Sequence, residues 1–279
     1  MRYYELIYKG VKKLNLYSIK NSKLDSEIIL SRVLNITREK MILNLNEYAN
    51  RNQILNFEKM IKVRSQKKPI AYLLNKKDFW KTQFYVNQSV LIPRPDTEVL
   101  VSSCLSLISQ KDKLKILDIG TGSGCIIISI LLERKHCTGI ALDISKSALN
   151  TAKTNAKIQQ LGNRISFFNS DIDNFFYGKY DLIVSNPPYI KKSDLKCLEK
   201  DVGFEPKQAL DGGLDGLSEI RKVINKSSEL IKRNGHLIIE IGFDQKNKVK
   251  QILRDKGFYI KKTVKDLSNH DRCIVSTKT

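Results

Sequence analysis

Lys115-Ile116-Leu117-Asp118-Ile119-Gly120-Thr121-Gly122-Ser123-Gly124 reads as a short apolar strand running into a glycine loop, and Cys125-Ile126-Ile127-Ile128 behind it opens an apolar helix. A strand, a tight loop and a helix in that order form one unit of a parallel, helix-covered sheet. Glycines at 120, 122 and 124 permit a tight turn and let a ligand approach the backbone at a helix N-terminus. The spacing is Gly-x-Gly-x-Gly, not the Gly-x-Gly-x-x-Gly of dinucleotide sites. Asp118 at the strand end would repel a pyrophosphate but would welcome the ammonium group of an amino acid.

The alternation continues on both sides of that unit. Strands are expected at 114–119, 138–143, 164–169, 180–185, 236–241 and 257–263, with a last one at 272–277. Helices are expected at 124–134, 145–160, 217–233 and 244–256. The second strand, Gly139-Ile140-Ala141-Leu142-Asp143, ends in a carboxylate that can accept both hydroxyls of a ribose. The third ends in Asn169-Ser170-Asp171, where a side chain can read an adenine edge. Ligands of open α/β sheets bind along this edge, so three acids at successive strand ends point to one elongated ligand. An amino acid joined to an adenine nucleoside fits, and S-adenosylmethionine is the cofactor expected.

A fourth strand, Asp181-Leu182-Ile183-Val184-Ser185, runs into Asn186-Pro187-Pro188-Tyr189. Two successive prolines fix the backbone and remove two N–H donors. The Asn186 side-chain oxygen and the Pro187 carbonyl can together accept both hydrogens of an –NH2 group. Tyr189 offers an aromatic face for stacking on a planar group. An amide nitrogen is a poor nucleophile because its lone pair is delocalised. Two aligned acceptors would polarise its N–H bonds and hold it near a sulfonium methyl. Methyl transfer to a planar amide or amine nitrogen is the chemistry expected, with Asn186, Pro187 and Tyr189 catalytic and Asn186 also near the cofactor.

Residues 1–75 carry apolar positions at helical spacing, for example Ile28, Ile29, Val33 and Leu34, with Asp25 as a candidate N-cap and Thr37 starting another helix. This small bundle holds no catalytic constellation; it is either a structural cap or a substrate-recognition domain, and the second is the reading adopted. Residues 76–94 are expected to form a hairpin linker, with strands in Phe79–Ile92 and Asn87-Gln88-Ser89 at the turn. A helix is expected from Asp96 to about Gln110, and residues 95–279 form the catalytic domain.

Hydrophobic residues make up 41% of the 279, enough for a packed core. The longest apolar run, Cys125–Leu132, is broken by Ser129 and is far too short to span a bilayer. Five cysteines are scattered without Cys-x-x-Cys spacing, as in a reducing compartment, and no metal site is expected from them or from His136, His236 and His270. A cytoplasmic monomer is expected, with no membrane and no stable nucleic-acid partner. The net charge of +20 would suit an acidic partner. Lys, Asn and Ile are abundant throughout, however, which is also how a genome-wide composition bias looks.

Taken together these residues resemble the bacterial peptide-chain release factor glutamine N5-methyltransferases, a class I methyltransferase family. The similarity runs through Pro69-Ile70-Ala71-Tyr72, Phe79-Trp80, Leu91 to Glu98, the glycine loop, Asn186 to Tyr189, Glu205 to Leu217, Glu240 to Gln245 and Asp271-Arg272. It implies a Rossmann-like α/β fold, a mainly parallel twisted sheet with an antiparallel final strand, and a small N-terminal helical domain. It implies a cofactor site at Asp118, Gly120, Thr121, Gly122, Ser123, Gly124, Asp143 and Asp171. Ile172 stands where the family commonly carries an aromatic beside the adenine. It further implies that Asn186, Pro187, Pro188 and Tyr189 bind the glutamine of the Gly-Gly-Gln tip of release factors. A ribosomal-protein glutamine methyltransferase shares the same loop and motif. A nucleic-acid adenine N6-methyltransferase faces the same two-hydrogen problem but would need a DNA-recognition domain, which is not recognisable here.

Overall fold

A computed structural model describes residues 1–279, which form two compact units: Met1–Asn75 with Glu199–Phe204, and Lys76–Leu198 with Glu205–Thr279. No helix is long and apolar enough to cross a membrane.

The smaller unit holds α1 (Tyr3–Leu16), α2 (Ser22–Leu34), α3 (Arg38–Leu43), α4 (Arg51–Ser65) and α5 (Ile70–Leu74). Leu6, Leu14, Ile29, Leu30, Met41, Phe57 and Ile61 close its core. Gly10 lets α1 and α2 touch, since a Cβ there would lie 2.7 Å from the Ser26 hydroxyl. Thr37 caps α3 by accepting the Lys40 N–H. Asp25, expected as an N-cap, does not cap: α2 begins three residues earlier, and Asp25 is buried in its first turn, 2.7 Å from the equally buried Arg64. Arg64 also reaches Asp201 at 3.0 Å.

The larger unit opens with β1 (Lys76–Phe79) and β2 (Thr82–Tyr85), an antiparallel pair. The hairpin turns at Trp80-Lys81 rather than at Asn87-Gln88-Ser89, and Val90-Leu91-Ile92 forms no strand. The left-handed Trp80, φ 55°, is held by its backbone N–H on Glu98 (2.8 Å) and its indole N–H on Glu133 (3.0 Å). Asn87 and Ser89 instead turn their side chains toward Thr151. The hairpin is part of this unit rather than a linker, because Phe79 and Phe84 sit in its core.

A 3-10 turn at Pro95–Thr97 precedes α6 (Glu98–Leu105), which stops short of the expected Gln110. There follow β3 (Lys115–Ile119), α7 (Cys125–Glu133), β4 (Thr138–Asp143), α8 (Lys146–Ile158), β5 (Ile165–Asn169), β6 (Tyr180–Ser185), α9 (Ser218–Leu230), β7 (Ile231–Glu240), α10 (Lys246–Asp255), β8 (Phe258–Lys265) and β9 (Asp271–Lys278). Helix α9 ends before 233 and β7 starts well before 236, because Ile231 pairs with Tyr180 and continues the sheet.

The seven strands lie in the order β5-β4-β3-β6-β7-β9-β8, parallel except for β9, which runs antiparallel to both neighbours. Side chains alternate across the pleat. Ile116, Leu182, Val184 and Ile238 face a core under α6 and α7, while Leu117, Ile119, Ile183 and Ile239 face one under α9 and α10. The strand order reverses between β3 and β6, so their carboxyl ends flank the crevice in which such sheets bind ligands.

Candidate active site

The two loops leaving that switch point start side by side. Ile119 pairs with Ser185 across β3 and β6, and the Ser185 hydroxyl donates to the Ile119 carbonyl at 2.8 Å. A cavity of about 750 Å³ opens above them. Its floor and walls include Gly120, Thr121, Gly122 and Ser123 from the first loop and Asn186, Pro187 and Pro188 from the second. Asp143, Asp171 and Ile172 from the next strand ends complete one side.

Gly120, Gly122 and Gly124 all have positive φ, +73°, +56° and +80°. The first two have open space where a Cβ would be, so there they supply only the turn. At Gly124 a Cβ would lie 2.8 Å from Ile128 and 3.2 Å from Ala152. Gly124 therefore packs α7 against α8 and does not line the cavity. The Gly120 and Thr121 amides donate to the Leu142 carbonyl at 2.9 and 3.0 Å. Asp143 accepts the Gly122 amide and the Ser145 amide, each at 2.8 Å, joining the loop to the start of α8. Burial pushes the Asp143 carboxyl pKa up, and these two amides pull it back. Asn155 of α8, buried, adds another tie: its Nδ2 donates to the Ser123 and Tyr85 carbonyls, and its Oδ1 accepts the Tyr85 amide.

Asp118 differs from the expectation that it meets a ligand ammonium directly. It lies on the same face of β3 as Ile116, is fully buried, and does not line the cavity. One oxygen accepts the Thr121 hydroxyl at 2.7 Å and the other has no partner. Burial raises its pKa to about 7. Its bonded partner Thr121, and not Asp118 itself, lines the cavity. At the end of β5, Asp171 caps the turn Ile172–Asn174 through the Asp173 amide, and Ile172 packs on the core beside the cavity.

On the second loop, Asn186 donates through Nδ2 to the Thr97 hydroxyl oxygen at 3.2 Å. Pro187 is buried. Tyr189 turns away from the cavity: its hydroxyl lies 3.5 Å from Glu240 and 3.4 Å from the Arg272 guanidinium. Burial, reinforced by Glu240, pushes the phenol up to about 12. Its carbonyl accepts from the buried Gln245. The expected open stacking face is thus drawn into a polar cluster beneath the motif.

Several residues that hold this loop have no role that the sequence pattern assigns. Gly212 meets the Tyr189 backbone so closely that a Cβ would lie 2.8 Å from its Cα, and at Gly216 a Cβ would lie 2.6 Å from the Tyr189 carbonyl. Ile190 and Asp211 form a parallel bridge beside them. Arg94 lines the cavity and pairs with the buried Glu205, which also accepts the Ile92 amide. The only signal for these residues lies in acids and glycines set among apolar neighbours, such as Glu240 after Leu237-Ile238-Ile239.

Known proteins share both the sequence and the fold of these elements. Residues 96–202 match the methyltransferase small domain, and residues 5–74 match the PrmC N-terminal domain. The chain is 38% identical to the release factor glutamine methyltransferase of Buchnera aphidicola subsp. Schizaphis graminum, covering 97% of both chains. It is 36% identical to the bifunctional methyltransferase of Rickettsia felis over 97% of this chain but only 57% of that protein, so it spans little more than half the length of that relative. In fold it resembles a methyltransferase from Pyrococcus furiosus, with a TM-score of 0.54 at 17% identity over 80% of this chain and 98% of the other.

Proposed function

The chain belongs to the release factor glutamine methyltransferase family, and from that premise we propose that it transfers a methyl group from S-adenosylmethionine to the side-chain amide nitrogen (N5) of the glutamine in the Gly-Gly-Gln motif of peptide chain release factors. The observation that carries this reading is that Asn186 and Pro187 line the same cavity as the glycine loop and Asp143. A nucleophile held at the first pair therefore faces a cofactor held at the second.

The residues present fit the cofactor. Glycines at positive φ with no neighbour within 4 Å of a Cβ leave the loop backbone open to a ligand. Asp143 uses one amide on each oxygen and keeps lone pairs for a ribose diol. Asp171 and Ile172 line the cavity beside it and would hold the adenine, Ile172 offering an aliphatic side chain to its face. Bound S-adenosylmethionine supplies an electrophilic sulfonium methyl. Asn186 spends its Nδ2 on Thr97, so Oδ1 is the end left to accept a substrate N–H. The Pro187 carbonyl is the second acceptor. Together they orient an amide lone pair toward the methyl and favour the in-line geometry. Pro188 keeps the turn rigid, and Tyr189 anchors it from below. No strong base is required, since the proton on the methylated nitrogen can leave to water after transfer.

The helical unit is read as the part that recognises the protein substrate, and the chain as a cytoplasmic monomer. The test is incubation of the purified protein with labelled S-adenosylmethionine and intact release factor, then peptide mapping. Label on the Gly-Gly-Gln glutamine is the expected result. Label on a ribosomal protein or on nucleic acid, with none on release factor, overturns the reading.

A further inference from the structure

We propose that Thr97 is a positioning residue that decides which end of the Asn186 amide faces the cavity, with the Glu240 carboxylate behind it setting the direction of the hydrogen bonds. This deepens the glutamine reading and rests on it.

The pleat brings the three groups together. Asn186 follows β6 on the face of Val184, Glu240 ends β7 on the face of Ile238, and both faces look toward the start of α6, where Thr97 sits. Thr97 and Glu240 are each only 2% exposed. Asn186 Nδ2 donates to Thr97 Oγ1 at 3.2 Å. A hydroxyl whose oxygen accepts there still has one proton to give. Thr97 is among the groups that act on the Glu240 carboxyl, and Glu240 Oε2 is buried without a hydrogen-bond partner, so it is open to the Thr97 proton.

A primary amide can present either its oxygen or its NH2, and the surrounding partners decide which. An ionised carboxylate only accepts. With Glu240 ionised the chain of bonds runs one way, from Asn186 to Thr97 to Glu240, and Oδ1 faces the cavity. A protonated Glu240 can donate to Thr97, which then turns its own proton to Asn186. The NH2 end would face the cavity, donor against donor, and the acceptor that methyl transfer needs would be lost.

Glu240 is faced by Arg272 and Cys273 on β9, Asp96 in the turn before α6, Tyr189 beyond β6 and Cys125 on α7. Burial raises its pKa to about 7 and Asp96 adds to this, while Thr97, Arg272 and Tyr189 oppose it. The carboxyl therefore ionises as pH rises through neutrality, and transfer is faster on the alkaline side.

The experiment compares the full-length wild type with Thr97→Val, which matches the shape without the hydroxyl, and Thr97→Ser, which restores it. Single-turnover transfer to a Gly-Gly-Gln peptide is expected to fall about tenfold in Thr97→Val, the scale of one lost hydrogen bond, with cofactor Kd unchanged. Thr97→Ser should recover the rate. The wild-type loss of rate below neutral pH should flatten in Thr97→Val. A readout independent of substrate is the side-chain amide resonance of Asn186, identified by its absence in Asn186→Ala. It should shift with pH near neutrality in the wild type and in Thr97→Ser. Wild-type rate and an unchanged acid limb in Thr97→Val, or an Asn186 amide that does not titrate in the wild type, overturns the proposal. If the wild type methylates no glutamine, the function reading falls while the Asn186 titration still decides this one.

Discussion

The loops that leave β3 and β6 begin one hydrogen bond apart, yet they are held in opposite ways. The glycine loop is fixed by residues of its own strand–loop–helix unit and of the next strand and helix, where Asn155 holds the Ser123 carbonyl. Thr121 bonds Asp118, the Gly120 and Thr121 amides bond Leu142, and Gly122 bonds Asp143. The Asn-Pro-Pro-Tyr loop is stiff by composition, but its aim comes from far along the chain: Thr97, Gly212, Gly216, Glu240, Gln245 and Arg272. On the proposed reading the first loop binds the cofactor, and its shape is written in its own residues and their immediate neighbours. On the same reading the second does the chemistry, and its orientation is imposed from outside. A loop of the first kind tolerates changes elsewhere in the molecule, whereas one of the second kind is sensitive to distant substitutions.

The contrast breaks most readily at Asn186. Asn186→Ala removes one of two acceptors on the reacting amide, so kcat should fall by roughly a hundredfold or more. Cofactor affinity should change little, because Asp143 and the glycine loop are untouched. Rapid-quench single-turnover kinetics check this, and transfer at the wild-type rate would remove Asn186 from the chemical step.

The counterpart on the first loop is Asp143→Ala. It deletes the acceptor of two backbone amides and the proposed ribose contact together. Calorimetry should show S-adenosylmethionine binding weakened by roughly 1.5–3 kcal/mol, the range for hydrogen bonds to a charged group. Single-turnover rate at saturating cofactor should fall less than in Asn186→Ala. Unchanged affinity would place the ribose elsewhere.

The same contrast explains what could be read from the sequence. The sheet was legible because buried parallel strands read as apolar runs and glycines mark the turns between them, as in Leu114–Gly124. Gly120, Asp143 and Asn186 stood out because the proposed chemistry needs those residue types at strand ends, and the structure brings all three to one cavity. The true hairpin turn was hidden, since Trp80 is no turn former and adopts positive φ only because Glu98 and Glu133 hold it. Asp25 has the residue type of a cap, but its partner Arg64, 2.7 Å away across the helices, gives it another task. Asp118 looks ligand-facing from its place near the strand end, yet strand phase decides otherwise: two residues on from Ile116, it must point to the same buried face. Thr97, Glu240 and Gly212 act through tertiary contacts that no local pattern encodes.

Gly212→Ala sharpens the difference from the outside. Its Cβ would meet the Tyr189 backbone at 2.8 Å, and backbone cannot swing aside as a side chain can. The motif should shift by a fraction of an ångström, which at a reacting centre can cost about tenfold in rate. Cofactor Kd should stay near wild type, although no part of Gly212 belongs to the motif. Equal loss of cofactor affinity and rate would show that the two loops move as one.

Gly122→Ala should have the smallest effect and is the cleanest control. Gly122 has φ +56° with nothing within 4 Å of where a methyl group would sit, so alanine meets no clash. What remains is the cost of a left-handed conformation, about 1–2 kcal/mol for a non-glycine residue. The loop can relax part of that only by loosening the Gly122 amide from Asp143, 2.8 Å away. Both routes weaken the binding loop and neither reaches Asn186, whose partner Thr97 lies on a different element. Cofactor Kd should therefore rise by a factor of a few to about ten, less than the whole of that strain would give because the loop relaxes part of it, while the single-turnover rate at saturating cofactor stays within about twofold of wild type. A large drop in that rate with unchanged Kd would mean that the glycine loop positions the methyl group rather than merely binding it, and the division of labour between the loops would have to be redrawn.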